Sequence, residues 1–166
     1  RRQRQMCIRD SNNTRELKPE HGLLVLRKHL NLYINIRPIF VFNTLSEFSS
    51  LKSELINDLD LVIIRELIGD VYFGEPRGFK DVNGDKVGYN TMQYSESEVQ
   101  RITKFAIDIA LKRNKHITSV DKANVLECSQ LWRQTVDRTM QGHSNIDLQH
   151  MYVDNAAMQI IKNPCL

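Results

Sequence analysis

The sequence predicts an α/β protein, and three observations carry that expectation. Short apolar stretches of strand character alternate with amphipathic stretches of helical period along most of the 166 residues. Ser95 and Glu98 stand at capping-box spacing directly before a helical pattern. Asn83-Gly84, between Val82 and Val87, is a hairpin-turn signal.

Taken in order, Pro19 to about Leu30 reads as a helix, with Leu23 and Leu30 on one side. Residues 32–36 read as a strand in which Leu32, Ile34 and Ile36 share one face and Tyr33, Asn35 and Arg37 the other. Pro38 is expected to end its regular pairing. A short helix from Leu51 to Asn57 precedes a strand over 59–64, whose apolar run barely alternates and so predicts cover on both faces. Val71 to Phe73 is expected to begin another strand, and the hairpin forms an arm over roughly 80–92. The capped helix runs to about Arg113 with Val99, Ile102, Ala106, Ile109 and Ala110 inward. HITSV reads as a buried strand and ANVLECSQLWRQTV as the next helix, with Val125, Cys128, Trp132 and Val136 on one stripe. Ile146 to Val153 is a strand, and Asp154 opens the last helix. No repeat and no low-complexity linker interrupts the series.

Two features point to chemistry. Lys122 is placed at a strand-to-helix junction, in the first turn of the helix, where the positive end of the dipole and partial burial would ease loss of its proton. Such a lysine is a candidate general base, the alternative being a solvated lysine beside Asp121. Arg27 follows GLLVL, Arg37 follows YINI and Arg65 follows LDLVII. Arg65 falls at the carboxyl end of its strand, where open α/β sheets place ligands. A guanidinium stays charged, so each buried one needs an anion, and Glu66 serves one at most. Three such forks suit a ligand bearing two carboxylates, the alternative being structural ion pairs with distant acids.

GLLVLRKHLNLYINIRP, LVIIRELIGDVYFGEPRG, TSVDKANVLECSQLWR and HMYVDNAAMQIIKNP resemble, in order and spacing, the 3-isopropylmalate dehydrogenases of the isocitrate/isopropylmalate dehydrogenase family. The resemblance runs from about Arg15 to Pro164. It implies that family's fold, with 12–32 closing the amino-terminal part of a first domain and 33–164 forming most of a second, subunit-contacting domain. Residues 1–11 fit no helix or strand template and read as adapter-derived sequence; 165–166 read as a second terminal scar. The stretch is expected to be an internal fragment, inactive alone, because further metal-binding aspartates and most of the family's cofactor loop lie outside it.

Setting the first residues aside changes the charge argument. The chain has 23 basic and 20 acidic residues, a net charge of +3. Residues 1–10 hold four arginines and one aspartate, so removing them leaves 19 of each sign. No nucleic-acid or membrane partner is expected. Cys7 and Cys165 lie in the suspect ends, which leaves Cys128 as a small buried thiol. One cysteine builds no disulfide framework, and a cytoplasmic enzyme is expected.

The reaction implied by the resemblance is oxidation of the 2-hydroxyl of 3-isopropylmalate by NAD, followed by loss of carbon dioxide, in leucine biosynthesis. Arg27, Arg37 and Arg65 match the ligands of the substrate carboxylates. Lys122 matches the base at the hydroxyl and Tyr72 the acid that protonates the enol carbon. Asp154 matches one carboxylate ligand of a Mg2+ or Mn2+ ion. Leu23, Leu24 and Val125 match the pocket for the isopropyl group, and Glu20 and Asn124 match residues near the nicotinamide. Lys122 and Asp154 are expected to reach the partner's site in a homodimer, to whose association the hairpin arm contributes. Ile68 departs from the threonine of many relatives, at a position with no proposed role. The competing readings are a homoisocitrate- or tartrate-type dehydrogenase, which the apolar Leu23-Leu24 pair disfavours, and a non-catalytic regulatory subunit.

Overall fold

The structure, a computed structural model, describes residues 19–56 and 59–163. The expectations for residues 1–11, for 165–166 and for Asn57 lie outside the described residues. The chain divides into two compact units, Arg1–Tyr33 with Leu67–Met92 and Ile34–Glu66 with Gln93–Leu166.

In the first unit, helix α1 spans Pro19–His29. Proline suits the first helical position, where an N–H has no intrahelical acceptor. Arg27, Lys28 and His29 occupy the last turn, at the negative end of the dipole. The helix ends because Asn31 turns left-handed, with φ 50°, and Leu32 N–H bonds back to the Arg27 carbonyl at 2.9 Å. Asp70–Tyr72 is a turn of 3₁₀ helix, not the expected start of a strand. Asp70 at φ 74° breaks extended backbone there. Gly74 lies so close to the Thr91 carbonyl that a Cβ would come within 2.0 Å of it. The Thr91 hydroxyl donates to the Pro76 carbonyl at 2.7 Å, tying both ends of the arm together. Strands β3 (Gly78–Val82) and β4 (Asp85–Tyr89) form that arm. Asn83 and Gly84, at φ 56° and 88°, make the two-residue turn that the sequence signalled.

The second unit begins with β1 (Ile34–Phe40) and, after the short helix α2 (Ser53–Ile56), β2 (Asp60–Glu66). These strands pair antiparallel. Pro38 does not end the pairing but sits opposite Val62. The bond from Leu67 N–H to the Tyr33 carbonyl fixes which pairs exchange hydrogen bonds. By alternation Pro38 falls at a non-bonded pair, so its nitrogen faces the open edge and no ladder bond is lost.

Helix α3 spans Glu96–Leu111, with both reciprocal bonds of the Ser95–Glu98 capping box in place. Its buried residues are Val99, Ile102, Thr103, Ile107 and Ala110, whereas Ala106 and Ile109 are only half-buried. Thr103 is tolerated inside because its hydroxyl bonds to the Val99 carbonyl at 2.7 Å. Arg113 reaches Asp60 at 2.9 Å and Arg101 lies 3.9 Å from Glu66, which sets the helix across one face of β2. Strand β5 (His116–Asp121), helix α4 (Glu127–Met140) and strand β6 (Asp147–Tyr152) form a crossover with β5 and β6 parallel. Helix α5 (Val153–Lys162) follows. Val99, Ile107, Ala110, Val136, Met140 and Ile146 form the core, flanked by Tyr94, Ile117, Trp132 and Leu148. Cys128 is half-buried, not enclosed as expected, because the buried face of α4 instead carries Ser129, Thr135, Val136 and Met140.

Replacing Ser95 with alanine removes the acceptor for the Glu98 N–H. The expected cost is about 1 kcal/mol at the start of α3. Amide exchange in that first turn should accelerate roughly fivefold, and unchanged exchange would deny the cap its role.

Candidate functional site

The side chains singled out in the sequence fall into three groups and one separate tyrosine. Glu20, Leu23, Leu24 and Arg27 are spaced three, four and seven residues from the first, so they share one face of α1. Glu20 and Leu23 are exposed; Leu24 and Arg27 are half-buried.

Arg37 and Arg65 share a face of the β1–β2 pair. Asn35 stands opposite Arg65, and Arg37 is two residues along from Asn35. Glu66 and Asp60, which meet α3, lie on the reverse face. Neither arginine is fully buried: Arg37 is exposed and Arg65 is half-buried. Neither guanidinium is enclosed, so burial by itself does not impose an anion on them as the sequence suggested. The antiparallel pairing also removes the expected crevice at the carboxyl edge of a parallel sheet. Asn35 accepts a hydrogen bond from Arg37 Nε at 2.7 Å and so restrains that guanidinium.

Lys122 follows the end of β5, but it is not in the first turn of a helix. Helix α4 starts only at Glu127, and the Lys122 carbonyl accepts the N–H groups of Val125 and Leu126 at 3.0 Å each. Asp121 delays the helix by accepting the Ala123 N–H at 2.9 Å, a local bond that competes with helical pairing. The dipole argument for Lys122 thus loses its premise. Val125 and Asn124 lie exposed on the same turn, with Val125 60% accessible and off the helical stripe assigned to it.

What the junction does is bring Lys122 to Asp154. Its Nζ donates to Asp154 Oδ1 at 2.6 Å. Parallel pairing of β5 with β6 sets Asp121 beside Tyr152, so the residues just past both strands meet. Asp154 lies in the first turn of α5, after the cap position at Tyr152. The Lys122 hydrogen bond, then a backbone N–H at Asp154 itself, hold its carboxyl below the usual carboxylate value. It stays ionised, a hard oxygen donor suited to Mg2+ or Mn2+. Among the described residues no group of three or more His, Cys, Asp or Glu is placed to hold a metal, so Asp154 fits as one donor of a larger set.

The depressed value has a definite sign. Stability from this ion pair is fully present above the ordinary carboxylate pKa of about 3.9 and is lost as pH falls through the lower folded value. Lys122→Met should raise the Asp154 pKa toward the ordinary range. A ¹³C titration of its carboxyl would read this, and an unmoved midpoint would sink the assignment.

Tyr72 lies on the 3₁₀ turn, where Arg77 donates to its carbonyl, and its side chain is partly accessible. Two further residues were not found from sequence. Asp121 is buried and takes the Nε and Nη2 of Arg133 at 2.9 Å each. The hydrogen bond to Asp121 is the main cause that raises the Arg133 pKa above its already high value. Their separation of twelve residues gives no local signal; only the meeting of β5 with α4 pairs them.

No described helix is long and apolar enough to cross a membrane. A family model described as isocitrate/isopropylmalate dehydrogenase matches residues 7–166. The 3-isopropylmalate dehydrogenase of Thiobacillus denitrificans is 55% identical over 150 residues, which are 90% of this chain and 42% of that protein. The same-named protein of Nitrosomonas europaea is 54% identical, with the same shares. The chain thus spans well under half the length of these curated relatives. Among solved structures, isocitrate dehydrogenase from Methylococcus capsulatus is similar with TM-score 0.73 and 28% identity, over 85% of this chain and 40% of that one. A β-decarboxylating dehydrogenase from Thermococcus kodakarensis gives TM-score 0.60 and 30% identity, over 86% of this chain and 37% of that one.

Proposed function

Because this chain belongs to the isocitrate/isopropylmalate dehydrogenase family, we propose that the full-length protein oxidises 3-isopropylmalate with NAD and decarboxylates the product to 4-methyl-2-oxopentanoate, a step of leucine biosynthesis. The observation that carries this reading is the Lys122–Asp154 contact at 2.6 Å, which sets an amine beside an ionised carboxylate. The names of the relatives support the choice of substrate.

In this reading Lys122, an ammonium while it donates to Asp154, first gives up a proton and then, as the neutral amine, takes the proton of the 2-hydroxyl as the hydride leaves the same carbon. Loss of the neighbouring carboxylate as carbon dioxide then leaves an enolate, and Tyr72 delivers a proton to its carbon. Arg27, Arg37 and Arg65 bind the two carboxylates and orient them; a guanidinium fork suits that task because it presents two parallel donors. Leu23, Leu24 and Val125 receive the isopropyl group, and Glu20 and Asn124 lie at the nicotinamide. Asp154, with donors from outside this set, would hold Mg2+ or Mn2+. When bound, the cation would polarise the hydroxyl and NAD would serve as the hydride acceptor.

Two copies complete each site, with Lys122 and Asp154 of one serving the other. The β3–β4 arm suits such an association because both its strands are exposed and carry apolar residues such as Phe79. Residues 12–32 belong in this reading to the first domain and 33–164 to the second.

The test is NADH formation by the full-length protein with Mn2+ and, in turn, 3-isopropylmalate, homoisocitrate, tartrate and isocitrate. Preference for 3-isopropylmalate is expected. Preference for another substrate would overturn the specificity, and inactivity on all of them would favour a regulatory subunit. The 166-residue polypeptide by itself is expected to form no NADH.

A further inference from the structure

Asp121 and Arg133 hold the ground from which Lys122 projects. Asp121 closes β5, and its side chain is 1% exposed. Its Oδ1 accepts the Ala123 N–H and Arg133 Nη2, and its Oδ2 accepts Arg133 Nε, all at 2.9 Å. The Arg133 guanidinium also lies over the Tyr152 ring, 5.0 Å from its centroid. Tyr152 closes β6 and stands in register with Asp121. A single guanidinium on α4 therefore grips the ends of both strands. Lys122 follows directly after one end, and Asp154 is two residues beyond the other.

His150 adds a third element to this arrangement. Its Nε2 lies 2.8 Å from Asp137 on α4, and its Nδ1 lies 3.9 Å from Asp121 Oδ2. The turn itself is closed by the Lys122 carbonyl, which takes the Val125 and Leu126 N–H groups. Lys122 is the member of this set that projects toward Asp154: the Asp121 carboxylate is enclosed, and Arg133 commits its Nε and Nη2 donors to it.

We infer that Asp121 and Arg133 are positioning residues that set the Lys122 amine against Asp154 and, through it, against the substrate hydroxyl. The inference rests on the proposed dehydrogenase reading. Its physical basis is the fork: two parallel N–H bonds fix orientation as well as distance, which a lysine ammonium at the same position would not do. A shift of about 1 Å in a reacting group costs on the order of a hundredfold in rate.

The test compares Arg133→Lys and Arg133→Met in the full-length protein, with Arg138→Gln as control. Arg138 is on the same helix but pairs with exposed Glu96. For Arg133→Lys, kcat on 3-isopropylmalate should fall at least tenfold while KM for NAD stays within twofold. The primary deuterium isotope effect at the 2-position should rise, because oxidation becomes limiting. Arg133→Met should fall further, and Arg138→Gln should match the parent. A loss of kcat that tracks a lower folded fraction, with an unchanged isotope effect, would reduce the pair to a structural role and overturn the inference. So would parental kinetics in folded Arg133→Lys. If both Arg133 variants fail to fold, Asp121→Asn takes their place with the same readouts. Amide exchange at Val125 and Leu126 supplies a readout independent of activity. Faster exchange in the variants is expected, and unchanged exchange overturns the inference. If the parent itself does not oxidise 3-isopropylmalate, the functional reading fails, while the exchange result still decides whether the pair holds the turn.

Discussion

Lys122→Met in the full-length protein is expected to abolish the overall reaction and to block its oxidative half. A methionine fills similar space but accepts no proton, and it leaves Asp154 without its 2.6 Å partner. Tyr72→Phe removes only the phenolic hydroxyl from the 3₁₀ turn and should leave the fold intact. It should slow the late proton transfer by about 10²–10⁴-fold, the range of a positioned acid. The two variants together test whether sites are shared. If Lys122 acts across the dimer, mixing the mutants places both lesions in one site of each heterodimer and leaves the other site whole. Activity should then partly recover after subunit exchange. Verified heterodimers that recover nothing would count against Lys122 serving a neighbour's site.

Leu24→Glu is the second substitution with a large expected effect. Leu24 lies on the α1 face that also carries Glu20, Leu23 and Arg27. A carboxylate there would confront the isopropyl group and lie one turn from Arg27, which it could draw away from substrate. A mismatch of methylene size is worth about 1–3 kcal/mol. An unpaired charge facing an apolar group costs more, so kcat/KM for 3-isopropylmalate should drop by more than about a hundredfold. Unchanged kcat/KM would remove Leu24 from the pocket. A shift of preference toward a substrate with a polar substituent would support its place there.

Much of this architecture is local, and local features are legible in a linear sequence. The capping box at Ser95, the Asn83-Gly84 turn and the proline that starts α1 each depend on neighbours within a few residues. The motifs around Arg27, Arg65, Lys122 and Asp154 were likewise sufficient to indicate the family. Pro38 shows where local reasoning stops. Its missing N–H disrupts a ladder only if that N–H would have faced the partner strand, and the phase of the β1–β2 register turned it to the open edge. The start of α4 is a second case. Helical period extended the pattern back to Lys122, but Asp121 captured the Ala123 N–H and Arg133 enclosed the carboxylate.

The sequence by itself determined the fold class, the hairpin and the principal helices and named the candidate site residues, because periodicity, turn chemistry and motif spacing are properties of adjacent residues. Tertiary structure alone decided that Arg37 and Arg65 share one strand face, that Lys122 meets Asp154 across 32 positions, and that Arg133 grips the ends of two strands. The physical reason is register. Pairing β5 with β6 and β1 with β2 converts distant positions into neighbours, and no interaction between adjacent residues specifies which of them will meet.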